Sequence, residues 1–327
     1  MKRNTVLSLF VFTLLSMTGC DRHSSEEVYY LIATNMSMPY WQTVSAGFKK
    51  AAAEYKVTAK VVGPDNYDPQ AELAELHNAI AAKPAGILIQ VANAPVLQPE
   101  IDSAVDAGIP VITIDSDAVG SRRLYFIGTN NLEAGRLGGK RVVQKLGSKA
   151  NVVFFTLSGQ PSTDERLKGF KDTFSDWPEI KIVEVVDLKR DVRIAFDKTQ
   201  EFMALTGPHK IDAFVFLESD SGKMVADAVQ RAGGSDRLVV AWDVNKDTLD
   251  GIKAGTIDST VAQKPFTMAY VGLKGLDEVY HSQPNKLNRD YSAHPFAPYP
   301  VFVDTGTSLV DRSNVDRYLS SAAAEAK

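Results

Sequence analysis

Short apolar runs alternate with amphipathic stretches along most of this chain, and that rhythm constrains the fold more than any other feature. Apolar runs at 28–33, 59–63, 86–91, 111–115, 152–157, 182–186, 213–217, 239–242 and 259–262 predict strands. Helical periodicity separates most of them, as where Trp41, Val44, Phe48 and Ala51 recur on one face. Strands buried on both faces and joined by helical crossovers make parallel, doubly wound sheets. Two helix starts carry their own chemistry: Asp68-Pro69 reads as an N-cap with proline at the first helical position, and Ser162-Thr-Asp-Glu165 reads as a capping box. The pattern restarts after Thr129, and 327 residues make about two domains, so the expected class is α/β with two doubly wound lobes. Sheets of this kind bind ligands outside the carboxyl ends of their strands, so functional residues are sought in the loops that follow them.

Residues 1–19 read as an export signal, with Lys2 and Arg3 ahead of an apolar run at 6–15 and Gly19 directly before the only cysteine, Cys20. The run is shorter than the roughly 20 apolar residues that span a bilayer. The segment resembles a bacterial lipoprotein signal, although Met17 stands where that family has leucine. The resemblance implies that Cys20 is acylated and becomes the mature N-terminus. The protein is then periplasmic or at the cell surface, anchored to the membrane only through lipid. Residues 20–27 would be a polar tether, in which Asp21 resembles an inner-membrane retention signal. The other reading is a plain secreted protein with a spare thiol.

Several function classes fall away. With 40 acidic against 36 basic residues, the formal charge of -4 gives no reason to expect nucleic acid as a partner. A single cysteine excludes a disulfide framework, a CxxC pair and a cysteine-built zinc site. No GxSxG elbow, GxxxxGK[ST] loop or HExxH helix occurs. Gly135-Arg-Leu-Gly138-Gly139 lies in a helical stretch with the wrong spacing for a dinucleotide fingerprint, and reads as a place of close helix packing. His23, His77, His209, His281 and His294 show no ligand spacing, so neither a metal nor a cofactor is expected. Asp115 and Asp117 are near enough for acid–base work, but no nucleophile with its base emerges. The residues read so far leave open an extracytoplasmic enzyme working through that pair, beside a protein that only binds.

Strand-end loops carry groups suited to a polyhydroxyl ligand: Pro39-Tyr40-Trp41, Asp115-Ser116-Asp117, Asn130-Asn131, Asp243 and Gln263. The C–H faces of a sugar lie on aromatic rings, and its vicinal hydroxyls suit carboxylate, amide and guanidinium groups. Gly108-Ile-Pro-Val111 with Thr113-Ile-Asp115, Ile127-Gly-Thr-Asn-Asn131 with Gly135, Glu165-Arg166 with Gly169-Phe170, Val240-Ala-Trp-Asp243 and Thr260-Val-Ala-Gln263 follow one another in order. Together they resemble the ribose/galactose type of periplasmic sugar-binding proteins from about residue 28 to 314.

That resemblance implies the type I periplasmic-binding-protein fold, with two lobes joined by three hinge strands and a sugar or polyol enclosed between them. It implies a monomer that delivers its ligand to an ABC permease, or alternatively to a membrane sensor kinase or chemoreceptor. The family's crossing order would place residues 28–129 and 264–304 in the N-terminal lobe, and 130–263 and 305–327 in the C-terminal lobe. By position, Tyr40 and Trp41 would sandwich the sugar ring, Asp115 and Asn131 would bind hydroxyls, Arg166 would donate, and Asp243 and Gln263 would complete the set. Plainer roles compete: Trp41 as core, Asn131 as a helix cap, Arg166 as an exposed helical residue, and the two Asp and Gln263 as turn or hinge residues. Met38 replaces the asparagine, and Ser116 the arginine, of ribose binders, which argues against ribose itself and leaves Asp117 as a candidate second carboxylate. Glu218, Ser219 and Asp220 are further candidate contacts, and a stretch near Lys189-Arg190 aligns with the remaining contact loop of the family without carrying a particular residue over.

Overall fold

The computed structural model describes residues 22–325 except 285, 290 and 292, with side chains through 320, so the export signal and Cys20 lie outside the described residues. Two six-stranded sheets carry the fold. The first contains β1 (Val28–Ile32), β2 (Thr58–Val62), β3 (Gly86–Ile89), β4 (Val111–Ile114), β5 (Phe126–Gly128) and, from far down the chain, β11 (Phe302–Asp304), in the order β11-β5-β4-β3-β1-β2. The second contains β6 (Lys149–Thr156), β7 (Glu179–Asp187), β8 (Ala213–Phe216), β9 (Leu238–Trp242), β10 (Ser259–Ala262) and β12 (Ser308–Asp311), in the order β12-β10-β9-β8-β6-β7. The expected pair of parallel α/β lobes is what the chain forms. One departure is β12, which pairs antiparallel with β10, through Val261 opposite Leu309. An antiparallel edge on an otherwise parallel sheet is common.

The helices are α1 (Pro39–Tyr55), α2 (Pro69–Ala81) and α3 (Ala94–Asp106) beside the first sheet, then α4 (Asn131–Leu146), α5 (Pro161–Phe174), α6 (Val192–Met203), α7 (Gly222–Arg231) and α8 (Lys246–Ala254) beside the second. Helix α9 (Pro265–His281) returns to the first lobe and packs on α1, and α10 (Val315–Glu325) lies against α8. The chain thus passes between sheets after β5, after β10 and after β11.

Strand periodicity explains the double burial. Along β8, Phe214 and Phe216 enter one core with Phe155 and Val239, while Ala213 and Val215 enter the opposite core with Phe154 and Val240. The sequence reading misses β5, β11 and β12, which are three or four residues long and, unlike the equally short but fully buried β3, β4, β8 and β10, show no uninterrupted buried run. Asp68 does cap α2, its carboxylate accepting from the N–H groups of Gln70 and Ala71. The capping box at Ser162 does not form: Pro161 opens α5, the N-cap is Gln160, and Thr163 Oγ1 donates to the carbonyls of Leu157 and Gln160. A proline at the first helical position starts the helix earlier than the Ser-x-x-Glu spacing suggests.

The glycines of α4 allow close helix packing, as expected. A Cβ at Gly135 would collide with the backbone carbonyl of Arg166, and one at Gly169 with the carbonyl of Leu132. This contact matters for the site, because it sets where Arg166 sits.

Candidate functional site

The carboxyl ends of both sheets meet at one cavity of about 380 Å³. That volume lies at the lower end of the range for small-molecule pockets, about 300–1,000 Å³. Strand β4 delivers Asp115, β9 delivers Asp243, β10 delivers Gln263, and the first turn of α1 delivers Tyr40 and Trp41. Both aspartates follow their strands in the left-handed backbone region, at φ 65° for Asp115 and φ 62° for Asp243. Aspartate tolerates that region better than most residues, and its use at both strand ends turns each carboxylate sharply out of its sheet.

Arg166 is the hub. The residue is 5% exposed and its guanidinium lies 4.3 Å from the centre of the Trp242 ring. It donates from Nε to Asn131 Oδ1 at 2.8 Å, from Nη1 to the Leu217 carbonyl at 2.8 Å and from Nη2 to Gln263 Oε1 at 3.2 Å. Gln263 passes the chain on, donating from Nε2 to Asp243 Oδ1 at 2.9 Å. Three of the five guanidinium N–H groups are thereby spoken for, and two remain for a ligand. Asp243 takes a further hydrogen bond from the Gln263 backbone.

Tyr40 donates its hydroxyl to Asp115 Oδ1 at 2.6 Å. Burial, with Asp115 and Asp243 nearby, holds the Tyr40 hydroxyl well above its ordinary range, so it stays a neutral donor. Burial also raises the Asp115 carboxyl, against the hydrogen bond from Tyr40 and the charge of Arg166. Burial lifts Asp243 from 3.8 to about 6, opposed by Arg166 and Gln263. The cavity therefore holds two hydrogen-bond-accepting carboxyls from opposite sheets around one cation.

Most residues named from the sequence converge here: Met38, Tyr40, Trp41, Asp115, Arg166, Glu218, Ser219, Asp220, Asp243 and Gln263 all line the cavity. Three do not. Asn131 is buried behind Arg166 and fixes it; the cap of α4 is Asn130, which accepts from the Glu133 N–H. Asp117 is drawn away by a two-pronged pair with Arg123 and by Thr113 Oγ1, which donates at 2.6 Å. Ser116 is buried, its N–H donating to the Ile114 carbonyl at 2.7 Å. The aromatic sandwich also does not form: the Tyr40 and Trp41 rings meet edge to face at 78°, whereas two faces of one sugar need near-parallel planes. Trp41 is both core and wall, being 3% exposed in the first lobe.

Other cavity residues have little sequence signature. Gln90 and Gln160 line it with Oε1 atoms that are buried and have no hydrogen-bond partner among the described residues. Acceptors in that condition call for a hydroxyl donor. Gln90 stands at the end of a predicted strand, a signal that the strand-end rule offers but that a single amide does not make distinctive. At the rim, Arg190 of the second lobe stacks 3.3 Å over the Tyr67 ring of the first, bridging the cleft.

Residues 29–280 match the family described as periplasmic binding protein domain. The chain is 24% identical over 299 residues to the ribose import binding protein RbsB of Bacillus subtilis, covering 88% of this chain and 94% of that protein. Among solved structures, it is similar to the sugar-binding protein of a sugar ABC transporter from Bacillus halodurans, with 33% identity, TM-score 0.80 and coverage of 89% and 99% of the two chains. It is also similar to AraP, an arabinose binding protein from Geobacillus stearothermophilus, with 32% identity, TM-score 0.78 and the same coverage, 89% and 99%.

Proposed function

This chain belongs to the periplasmic binding protein family, and from that premise we propose that it binds a monosaccharide or polyol outside the cytoplasm and hands it unchanged to an ABC import permease. The observation that carries the reading is the pairing of Asp115 and Asp243, from opposite lobes, around Arg166 in one cavity of about 380 Å³. Such a set satisfies vicinal hydroxyls from both sides, so the ligand stabilises the state in which the lobes are together. Names of the relatives support a sugar, and the loss of two polar ribose contacts at Met38 and Ser116 favours a sugar other than ribose. The lobes would turn about the crossings near residues 129, 263 and 304, the first lobe holding 28–129 with 264–304. We read it as a monomer that performs no chemistry, its carboxyls serving as hydrogen-bond acceptors for the ligand.

Thermal unfolding across pentoses, hexoses, deoxysugars and polyols tests this, followed by product analysis of each hit. A ligand at 100 times its dissociation constant adds about 2.7 kcal/mol, so a true ligand stands out by a clear rise in midpoint. Conversion of the bound sugar would move the protein to the enzymes, and a flat panel would remove the sugar reading. The lipoprotein signal supports an anchor at Cys20, which keeps the binder near its permease and raises their effective concentration. Cys20→Ser is expected to shift the protein from the membrane to the soluble fraction. Retention on the membrane would refute the anchor.

A further inference from the structure

Away from the cleft, the start of the described chain and the end of α9 converge on a second cluster, at the foot of the first lobe. His23 Nε2 lies 3.0 Å from Asp277 Oδ2, and His281 Nε2 lies 3.0 Å from Glu27 Oε2 and 3.5 Å from Asp277 Oδ1. The ligating atoms of His23, Asp277 and His281 all fall within 4.8 Å of one another. Asp277 and His281 stand four apart on α9 and so share a face, whereas the two histidines are 258 residues apart in the chain. That separation is why histidine spacing in the sequence predicts nothing here.

Hydrogen bonding alone serves this arrangement poorly. The single Nε2 of His281 faces two carboxylates at once, and it can bring only one hydrogen to them. The carboxylates are nearly out of water, Asp277 at 4% and Glu27 at 11% side-chain exposure, and buried charge demands a countercharge. Arg22, the nearest arginine in sequence, is engaged with Glu278. A divalent cation answers both problems. Zinc takes imidazole nitrogen and carboxylate oxygen at about 2.0–2.2 Å, which sets its tetrahedral ligands about 3.3–3.6 Å apart; here Asp277 lies 3.0 Å from His23 and 3.5 Å from His281, within a cluster no wider than 4.8 Å.

The surroundings are those of a supported site. Tyr29 is fully buried and donates its hydroxyl to Asp277 Oδ1 at 3.1 Å. The His23 ring is stacked on Tyr55 at 4.6 Å and meets the His281 ring edge on at 5.3 Å. Outer partners of this kind orient ligands before the metal arrives. We infer that His23, His281 and Asp277 form a zinc-type divalent metal site, with Glu27 at its edge beside His281, that clasps the N-terminal segment to α9. Neither the cleft nor the sugar reading is needed for this inference.

The test is titration of the chelator-treated full chain with Zn²⁺ alone, by calorimetry and by thermal unfolding. One Zn²⁺ per chain is expected, with a raised unfolding midpoint that chelator reverses. His23→Ala and His281→Ala should each weaken Zn²⁺ binding at least tenfold, while the response to a cleft ligand and the far-ultraviolet dichroism stay unchanged. Because His23 sits before β1, His23→Ala keeps the test valid should His281→Ala fold poorly. The proposal is overturned if the native chain takes up no stoichiometric Zn²⁺, or if His23→Ala binds it as tightly as the parent. It is equally overturned if the variants lose stability to the same extent with and without chelator, which would make the cluster a hydrogen-bonded tie.

Discussion

Replacing Arg166 by alanine is expected to weaken binding of the cleft ligand between about a hundredfold and ten-thousandfold. The two guanidinium N–H groups left free by Asn131, Leu217 and Gln263 would each make a charge-assisted bond worth about 1.5–3 kcal/mol, and every 1.4 kcal/mol is a factor of ten. The substitution also strands Gln263 and leaves the carboxyls without their cation, so a loss of stability of about 3–5 kcal/mol accompanies it. Affinity and stability are separated by Arg166→Lys. Lysine restores the charge beside Asp115 and Asp243 but not the planar fork, so it should recover much of the unfolding midpoint and little of the affinity. Calorimetry beside thermal unfolding reads both quantities. Full affinity in Arg166→Lys would show that charge alone is what the ligand needs.

Asp243→Asn is expected to move stability and affinity in opposite directions. The shift from 3.8 to about 6 disfavours the charged carboxylate in the folded protein by about 3 kcal/mol, at 1.36 kcal/mol per unit. Between those two values the folded protein binds a proton that the unfolded chain has released. Stability of the empty protein therefore rises as pH falls through about 6, and the gain is complete near 3.8. Above that window the native carboxylate is a net cost, and the asparagine variant, which cannot ionise, should be the more stable protein at neutral pH. Ligand hydroxyls donate to the ionised form, so affinity in the native protein should fall as pH drops through about 6. The variant should bind weakly at every pH and lose this dependence. A native affinity that is flat with pH would take Asp243 out of the contact set.

The sequence already carries the α/β class, the two-lobed plan and the strand-end position of the site. Those follow from local rules: a period of two buried on both faces, helical spacing between strands, and the tendency of such sheets to bind ligands at their carboxyl ends. Tyr40, Asp115, Asp243 and Gln263 are legible for the same reason, each lying at a strand end or helix start with a side chain suited to hydroxyls, whereas Arg166, inside α5, is legible only through the family resemblance. What the side chains do to one another is not local. Arg166 reads equally well as a solvent-facing helical residue until α4 brings Asn131 behind it and the second sheet brings Leu217 and Gln263 alongside. Ser116 and Asp117 stand next to Asp115, yet the turn at φ 65° and the pull of Arg123 keep them from the cavity. Strands β5, β11 and β12 exist because distant segments pair with them, and His23 meets His281 only because β1 and α9 pack in one lobe. Periodicity thus determined from the sequence alone the α/β class and the strand ends at which the cavity lies. Only the tertiary structure decided which polar groups face the cleft and which hold one another, because that depends on contacts between residues far apart in the chain.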